Sequence, residues 1–221
     1  MAGRPSSSPG TAPYWAPEYV SPDRFISYAY QLSSIFELGP RRVLEVGIGP
    51  GIVSAYLRNA GFEVVACDIE AGLHPDCTGD IRQLPFSDGQ FDVVAAFEVL
   101  EHMSFDDAAK ALGEIRRVSN AYAVISVPDS FAYFEVRVKF ALAWLRRELN
   151  LSARLPYFFR QFHPPQGERA LGGHLDHRWE MGRKGFSRAK VRALLRRHFR
   201  IHREFRPREY SGHYFFVLER L

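Results

Sequence analysis

The sequence is poor in cysteine and has no long apolar run. Its only cysteines, Cys67 and Cys77, are ten positions apart and form no Cys-x-x-Cys pair, which argues against a disulfide framework or a structural zinc site. No apolar stretch approaches the length of a membrane span, so we expect no integral membrane segment. The chain's start also lacks the apolar core of a secretory signal. A reducing, cytoplasmic location is therefore the expectation.

Acidic residues are scarce in the second half of the chain. Residues 1–130 contain nine Lys or Arg and 17 Asp or Glu, a net charge of −8, whereas residues 131–221 contain 20 and eight, a net charge of +12. A basic second half can face an anionic substrate, nucleic acid or membrane, or it can simply be a solvated surface.

The composition predicts one packed domain behind a short tail. Residues 1–17 are rich in Ser, Pro, Gly and Ala, and we expect them to be flexible. The remaining residues, 18–221, are enough for a single domain. The chain is 46% hydrophobic and 14% aromatic, which supports a sizeable core.

Apolar periodicity predicts alternating strands and helices up to residue 127. Helices are predicted over Ser21–Leu38 and Ile52–Ala60, and a third begins at the cap Ser104. Strands are predicted over Arg41–Val46, Phe62–Cys67, Cys77–Ile81, Phe91–Phe97 and Tyr122–Val127, with two closing strands at Ile201–Phe205 and Tyr214–Leu218. The pattern predicts a Rossmann-like α/β fold: a doubly wound, mostly parallel seven-stranded sheet with helices on both faces.

The alternation stops after residue 130. We predict a long amphipathic helix over Phe131–Leu151, an irregular basic stretch over Ser152–Gly185, and a helix capped by Ser187. Residues 131–185 are therefore interpreted as a helical and irregular insertion that covers the substrate.

Three short segments predict a ligand site at the carboxyl ends of the strands. Gly47, Gly49 and Gly51 follow the first strand and let the backbone approach a ligand. Asp68 ends the second strand, where a carboxylate can accept from ribose hydroxyls. Asp80 follows the third strand, where it can accept from an adenine amino group. The competing interpretation is a dinucleotide-binding domain. Its fingerprint requires a third glycine at the position that Ile52 occupies, which argues against this interpretation.

These motifs, in this order, resemble the class I S-adenosylmethionine-dependent methyltransferases. The resemblance is carried by Glu45–Gly51, Asp68, Gly79–Ile81 and Phe91–Val94, and it covers roughly residues 20–127. It implies S-adenosylmethionine as cofactor and S-adenosylhomocysteine as product. The cofactor-binding residues that it implies, with neighbours, are Glu45, Gly47, Ile48, Gly49, Gly51, Asp68, Ile69, Asp80, Ile81, Phe97 and, as a covering residue, Tyr28. An enzyme-like sheet that has lost its ligand is the alternative.

The segment after the fourth strand contains the candidate catalytic residues. Glu98, Glu101 and His102 lie within one turn there, and a histidine titrates near neutrality, so His102 can serve as the base that deprotonates an acceptor. A histidine that only lines the pocket or caps the helix is the alternative. A second cluster, His174–Glu180, falls in the irregular stretch.

Two narrower resemblances follow from these clusters. Glu-x-x-Glu-His after the fourth strand is similar to the ubiquinone-pathway O-methyltransferases. Combined with the later Asp-His-basic-aromatic-Glu, it also resembles the small-RNA 2′-O-methyltransferases, in which two glutamates and two histidines bind a divalent metal. The set that this second resemblance implies is Glu98, Glu101, His102 and His177.

The insertion should decide the acceptor. Nine aromatic residues lie between Phe131 and Phe162, and five arginines between Arg146 and Arg169. They suit a lid over a small aromatic or hydrophobic acceptor, the stacking of RNA bases, or docking on an anionic membrane through Phe131–Leu151. The favoured function is methyl transfer to a small-molecule acceptor, and the favoured accepting atom is an oxygen. The alternatives are a metal-dependent RNA 2′-O-methyltransferase and a non-catalytic cofactor-binding module.

Overall fold

A computed structural model of the chain describes Tyr14 and residues 19–130, 133–142, 147–156, 177–209 and 212–221. The helices are α1 (Pro22–Phe36), α2 (Ile52–Asn59), α3 (Phe105–Val118) and α4 (Arg188–Leu195). The strands are β1 (Arg42–Val46), β2 (Glu63–Asp68), β3 (Cys77–Thr78), β4 (Phe91–Phe97), β5 (Ser119–Pro128), β6 (Tyr133–Leu142), β7 (Arg147–Pro156), β8 (Phe199–Phe205) and β9 (His213–Arg220).

Seven strands form one sheet in the order β3-β2-β1-β4-β5-β9-β8. Neighbours from β3 to β5 are parallel, whereas β9 runs antiparallel to both β5 and β8. The prediction of a mostly parallel, seven-stranded Rossmann-like sheet is confirmed. The chain moves outward from β1 to β3 and then returns to β4, so the carboxyl ends of β1 and β4 flank the crevice at the switch point of the sheet.

Serine caps begin three of the helices. The hydroxyls of Ser21, Ser104 and Ser187 accept backbone N–H groups from the first turns of α1, α3 and α4, which satisfies donors that have no partner inside the helix. The caps predicted at Ser104 and Ser187 are confirmed.

The sheet is buried on both faces, as the apolar sequence of β4 indicates. One apolar cluster packs α3, α4 and Trp179 against one face. A second packs α1 and α2 against the other face, with Phe97 and Phe215 within it. Residues of β4 alternate between the two clusters, so this strand lies at the centre of the molecule.

The helix predicted over Phe131–Leu151 is wrong. These residues contribute instead to β6 and β7, an antiparallel pair with Tyr133 opposite Pro156 and Leu142 opposite Arg147. The sequence from Glu135 to Leu142 alternates charged or small residues with Val, Phe and Leu, a period of two that favours a strand. The amphipathic helix that the membrane-docking alternative assumed is therefore not formed by residues 133–142 and 147–151. The start of the irregular stretch predicted over Ser152–Gly185 is also wrong, since β7 extends to Pro156.

Several predictions fall outside the described residues. Of the predicted tail over residues 1–17, only Tyr14 is described, and within the predicted insertion residues 131–132, 143–146 and 157–176 are not. His174 is among these. In the portions of the chain that are described, no helix has both the length and the apolar character that crossing a bilayer requires.

Candidate active site

The glycine loop after β1 is held in a conformation that only glycine adopts without strain. Gly47, Gly49 and Gly51 have φ angles of +81°, +50° and +72°, in the left-handed region. The Gly47 N–H donates to the Cys67 carbonyl oxygen at 2.9 Å. A Cβ atom on Gly47 would lie 2.3 Å from Cγ2 of Val99. The loop after β1 therefore touches the segment after β4 directly.

Asp68 fixes the loop from the end of β2. One carboxylate oxygen accepts the Ile48 N–H at 2.8 Å and the other accepts the Glu70 N–H at 2.9 Å. The residue is buried, yet each oxygen keeps a lone pair for a further donor. Ile69, which follows it, is 69% exposed, an unusual position for a large aliphatic side chain beside a binding loop.

Asp80 and Ile81 lie one turn beyond β3. The Asp80 carboxylate accepts from the Arg82 side chain and backbone, and these bonds lower the pKa of Asp80. Ile81 is only 5% exposed and belongs to the main apolar cluster. It therefore anchors this turn in the core.

Glu45 is a buried carboxyl on β1. It is 2% exposed and accepts a hydrogen bond from the Ser54 hydroxyl of α2. Burial raises the pKa of Glu45 to about 7. A cationic group bound nearby would stabilise its charged form.

Aromatic residues from the N-terminal segment cover the glycine loop. A Cβ atom on Gly49 would lie 3.4 Å from Cε1 of Tyr14, and the Tyr14 ring packs edge-on against Tyr19 at 5.1 Å. The Arg24 guanidinium lies 3.7 Å from the centre of the Tyr19 ring. Burial raises the pKa of Tyr28 and of Tyr14, the latter to about 12, so both phenols are neutral.

Glu98 is strained at the end of β4. Its φ of +56° is unfavourable for a side chain with a Cβ atom. The carboxyl accepts from the Ser126 hydroxyl at 2.8 Å and lies 3.2 Å from Nε2 of His213. Nδ1 of His213 is 2.8 Å from the Ser27 hydroxyl of α1. A polar chain thus connects α1 and β9 to this strand end.

Glu101 is fully buried beside Glu98. The relative exposure of its side chain is 0%, and neither carboxyl oxygen has a hydrogen-bond partner of normal geometry among the described residues. Burial and the negative charge of Glu98 raise its pKa well above the ordinary value. A buried carboxyl in this state is protonated or requires a cation.

His102 and His177 lie next to Glu101. Nε2 of His102 is 4.0 Å from Oε1 of Glu101, and the two imidazole rings are 5.0 Å apart. One ligand atom from each of these three residues lies within 4.8 Å of the other two. Three members of the ligand set predicted from the sequence therefore meet in space, and the fourth, Glu98, adjoins Glu101.

Glu180 orients His177. Its Oε1 is 3.1 Å from Nδ1 of His177, while Oε2 accepts from Arg183 at 2.6 Å and from the Ser130 hydroxyl. These bonds lower the pKa of Glu180 to about 2. A carboxylate on one nitrogen of a histidine leaves the other nitrogen available for a substrate or a metal.

The segment that carries His177 is fixed to the end of β4. The Arg178 N–H donates to the Glu101 carbonyl oxygen at 2.8 Å, and the Trp179 indole donates to that of Leu100 at 3.1 Å. Trp179 is 2% exposed. Burial of the indole explains why residues distant in sequence form one site.

Sequence reasoning missed His213, Ser126 and Tyr14. His213 reaches the site because β9 runs antiparallel beside β5, with His213 opposite Pro128, and the sequence predicts the strand but not its neighbour. Tyr14 falls within residues 1–17, which the sequence predicts to be a flexible tail. Phe97, which the resemblance implies as a cofactor-binding residue, is 7% exposed and packs in the α1–α2 cluster.

Comparison with known proteins agrees with this geometry. Residues 44–125 match the profile of a family described as a methyltransferase domain. These residues run from β1 to β5 and include the glycine loop, Asp68, Asp80 and Glu98–His102. Over these residues the chain is similar to methyltransferase domains, and the predicted resemblance to the class I methyltransferases is confirmed.

Individual relatives match part of the chain. A demethylmenaquinone methyltransferase of Beutenbergia cavernae is 35% identical over 103 residues, 41% of this chain and 42% of the relative. A ubiquinone biosynthesis O-methyltransferase of Bordetella parapertussis is 31% identical over 129 residues, 50% of this chain and 54% of the relative. The chain thus spans about half the length of these curated relatives.

A solved structure extends the likeness to the whole fold. The N-methyltransferase NodS of Bradyrhizobium japonicum, crystallised with S-adenosylhomocysteine, superposes with a TM-score of 0.57 at 12% identity, covering 90% of this chain and 88% of that one. At this identity the likeness shows the class I fold alone.

Proposed function

We propose that the protein is an S-adenosylmethionine-dependent methyltransferase that methylates an oxygen of a small-molecule acceptor, with His102 as the base. The observation that carries the proposal is the contact between Gly47 and Val99. It puts the turn that bears Glu98, Glu101 and His102 directly against the cofactor loop.

The residues at the carboxyl ends of β1, β2 and β3 fit this cofactor. Asp68 can accept from ribose hydroxyls, and the exposed Ile69 offers an apolar surface to the adenine ring. Asp80 can accept from the adenine amino group. The buried Glu45 and the backbone of Gly47–Gly51 suit the cationic amino-acid end. The bound cofactor supplies a methyl group on a positively charged sulfur.

The chain's own groups align the acceptor, exclude water and remove a proton. His102 is partly exposed, with 26% of its side chain accessible, so an acceptor hydroxyl can reach it. His177, oriented by Glu180, packs edge-on against His102 with the ring centres 5.0 Å apart. Tyr14 and Tyr19 cover the glycine loop at Gly49 and exclude solvent there.

Two relatives support an acceptor of the hydroxylated aromatic class. Their names state demethylmenaquinone as a substrate and ubiquinone biosynthesis by O-methylation as a role. Glu98–His102 of this chain matches the motif expected of the second. Oxygen is proposed because of this likeness to the O-methylating relative, and His102 provides the acceptor for the proton that the hydroxyl loses.

Glu101, His102 and His177 also fit a divalent metal ion. Among the described residues no hydrogen bond of normal geometry reaches the Glu101 carboxyl oxygens, and Glu180 orients His177. Both are features of metal ligands. Such an ion would act as a Lewis acid on the acceptor oxygen. Isothermal titration of the protein with Mn²⁺ or Zn²⁺, compared with His177→Ala, tests this assignment without an activity assay.

The acceptor is tested by incubating the protein with methyl-labelled S-adenosylmethionine, a panel of phenols and catechols, and an RNA pool. Each reaction is run with and without a chelator. Label transferred to a phenol or catechol is the expected result. Transfer that persists in the presence of chelator supports His102 as the base, and transfer that chelator abolishes supports a bound metal ion. Label found only in RNA, and lost with chelator, contradicts the proposal.

A further inference from the structure

The two cysteines are distant in sequence but adjacent in space. Nine residues separate them, yet Cys67 on β2 is the register partner of Cys77 on β3. Neighbouring strands lie about 4.8 Å apart, inside the range of roughly 4.4–6.8 Å between the Cα atoms of disulfides. Both side chains contribute to the same apolar cluster, so both project from the same face of the sheet.

Both cysteines are free thiols that interact with each other. Cys67 is 0% exposed, and burial together with the neighbouring Cys77 raises the pKa of its thiol to about 12. Cys77 is partly exposed. An oxidant therefore meets Cys77 first, and Cys67 serves as the resolving thiol.

The pair lies between the ribose and adenine ends of the proposed cofactor site. Asp68 follows Cys67 directly, and Gly79 and Asp80 follow Cys77 by two and three positions. A Cβ atom on Gly79 would lie 3.1 Å from Sγ of Cys67. The Cys67 sulfur therefore packs tightly against the backbone that leads to Asp80.

We propose that Cys67 and Cys77 are a redox modification site, at which a reversible intramolecular disulfide across β2 and β3 weakens cofactor binding. Bonding to Cys77 turns the Cys67 sulfur away from Gly79 and draws the two-residue strand β3 towards β2. The spacing of Asp68 and Asp80 changes with it. The effect on the cofactor rests on the proposed function; the formation of the disulfide does not.

The oxidant is a low-molecular-weight disulfide such as glutathione disulfide. The Cys77 thiolate attacks one of its sulfurs, a Cys77–glutathione bond forms, and one glutathione leaves as a thiolate. The Cys67 sulfur then loses its proton, attacks the Cys77 sulfur and expels the second glutathione. Two protein thiols are oxidised and one disulfide is reduced to two thiols.

The test compares the full-length protein before and after glutathione disulfide. Intact mass, thiol counting in denaturant and a non-reducing gel report the bridge, and calorimetry with S-adenosylhomocysteine reports the site. We expect a monomer that has lost two hydrogens and both thiols. We also expect about tenfold weaker binding that dithiothreitol restores.

The matched control is Cys77→Ser, which retains a single buried thiol. Its S-adenosylhomocysteine affinity should be unchanged by the oxidant. Persistence of both thiols, or a disulfide between two chains, would overturn the modification site. A bridge that forms without changing the affinity would overturn its effect on the cofactor. If the reduced protein does not bind S-adenosylhomocysteine at all, the proposed function fails while the thiol count still decides the disulfide.

Discussion

The glycine loop after β1 and the segment after β4 lie side by side at one sheet edge. The carboxyl group that holds the loop, Asp68 at the end of β2, differs in its hydrogen bonding from Glu101 in the segment after β4. Both oxygens of Asp68 accept backbone N–H groups, whereas neither oxygen of Glu101 has a hydrogen-bond partner of normal geometry among the described residues. The first region is satisfied before any ligand arrives and needs little reorganisation on binding. The second region contains Glu101, a carboxyl group buried without hydrogen bonds of normal geometry from the described residues. The free-energy cost of such burial is tolerated where chemistry needs a proton or a cation.

Replacing His102 tests the reactive side of this comparison most severely. His102→Ala removes the proposed base, so methyl transfer to the acceptor found in the panel should fall by about 100- to 1,000-fold. Calorimetry should show S-adenosylhomocysteine affinity within about twofold of the original. His202→Ala, an exposed histidine on β8, is the control. Equal rates for the two variants would remove His102 from the mechanism.

Replacing Asp68 tests the region whose carboxylate already accepts hydrogen bonds from the backbone. Asp68→Ala deletes the acceptor of the Ile48 and Glu70 N–H groups as well as the proposed ribose contacts, and it should weaken S-adenosylhomocysteine binding by about 100-fold. The exposed Asp106 in the first turn of α3 provides the control variant Asp106→Ala. Unchanged calorimetric affinity for Asp68→Ala would contradict the cofactor assignment.

Alanine substitutions at two glycines distinguish a steric clash between the two regions from backbone strain alone. Gly47→Ala and Gly61→Ala both put a side chain at positive φ, but only the first creates a Cβ atom that clashes with Val99. We expect urea denaturation to show about 2 kcal/mol more destabilisation for Gly47→Ala. Similar losses for both variants would mean that the Gly47–Val99 contact adapts easily.

The smallest expected effect concerns the pH dependence of stability. The folded pKa of Glu101 is raised above its ordinary value of 4.5. The stability associated with the neutral carboxyl is therefore complete below pH 4.5 and is lost as the pH rises through the folded pKa. Glu101→Gln should raise the free energy of unfolding by about 1 kcal/mol at pH 8 and hardly change it at pH 4.

The control for this titration is Glu37→Gln, at a carboxylate whose side chain is 55% exposed. It should show no pH-dependent gain. A Glu101→Gln variant that loses stability at pH 8 would indicate that the carboxylate is charged and compensated in the fold.

Local periodicity and turn chemistry are enough to predict the strands and the glycine loop around the proposed cofactor site. Phe91–Phe97 was located to the residue, and the glycine loop and Asp68 are where their motifs put them, because parallel strands bring their carboxyl ends to one edge. The cluster of Glu101, His102 and His177 was reached only through a family resemblance. No spacing in the sequence reveals that Trp179 buries its indole against Leu100.

Long-range pairing explains what the sequence did not predict. His213 reaches Glu98 through the antiparallel insertion of β9, and Cys77 reaches Cys67 through the register of an edge strand. The prediction of an amphipathic helix over Phe131–Leu151 is wrong because the apolar residues from Glu135 to Leu142 recur every second position, a period that favours a strand.

The left-handed backbone of Glu98 has a consequence for engineering this protein. Glycine relieves such a conformation, so Glu98→Gly is a substitution that a search for thermal stability would favour. The same change would delete the carboxyl that His213 and Ser126 hold at the end of β4. Selection on melting temperature and selection on turnover should therefore diverge at this position, and a library scored for both would locate the trade-off between robustness and catalysis.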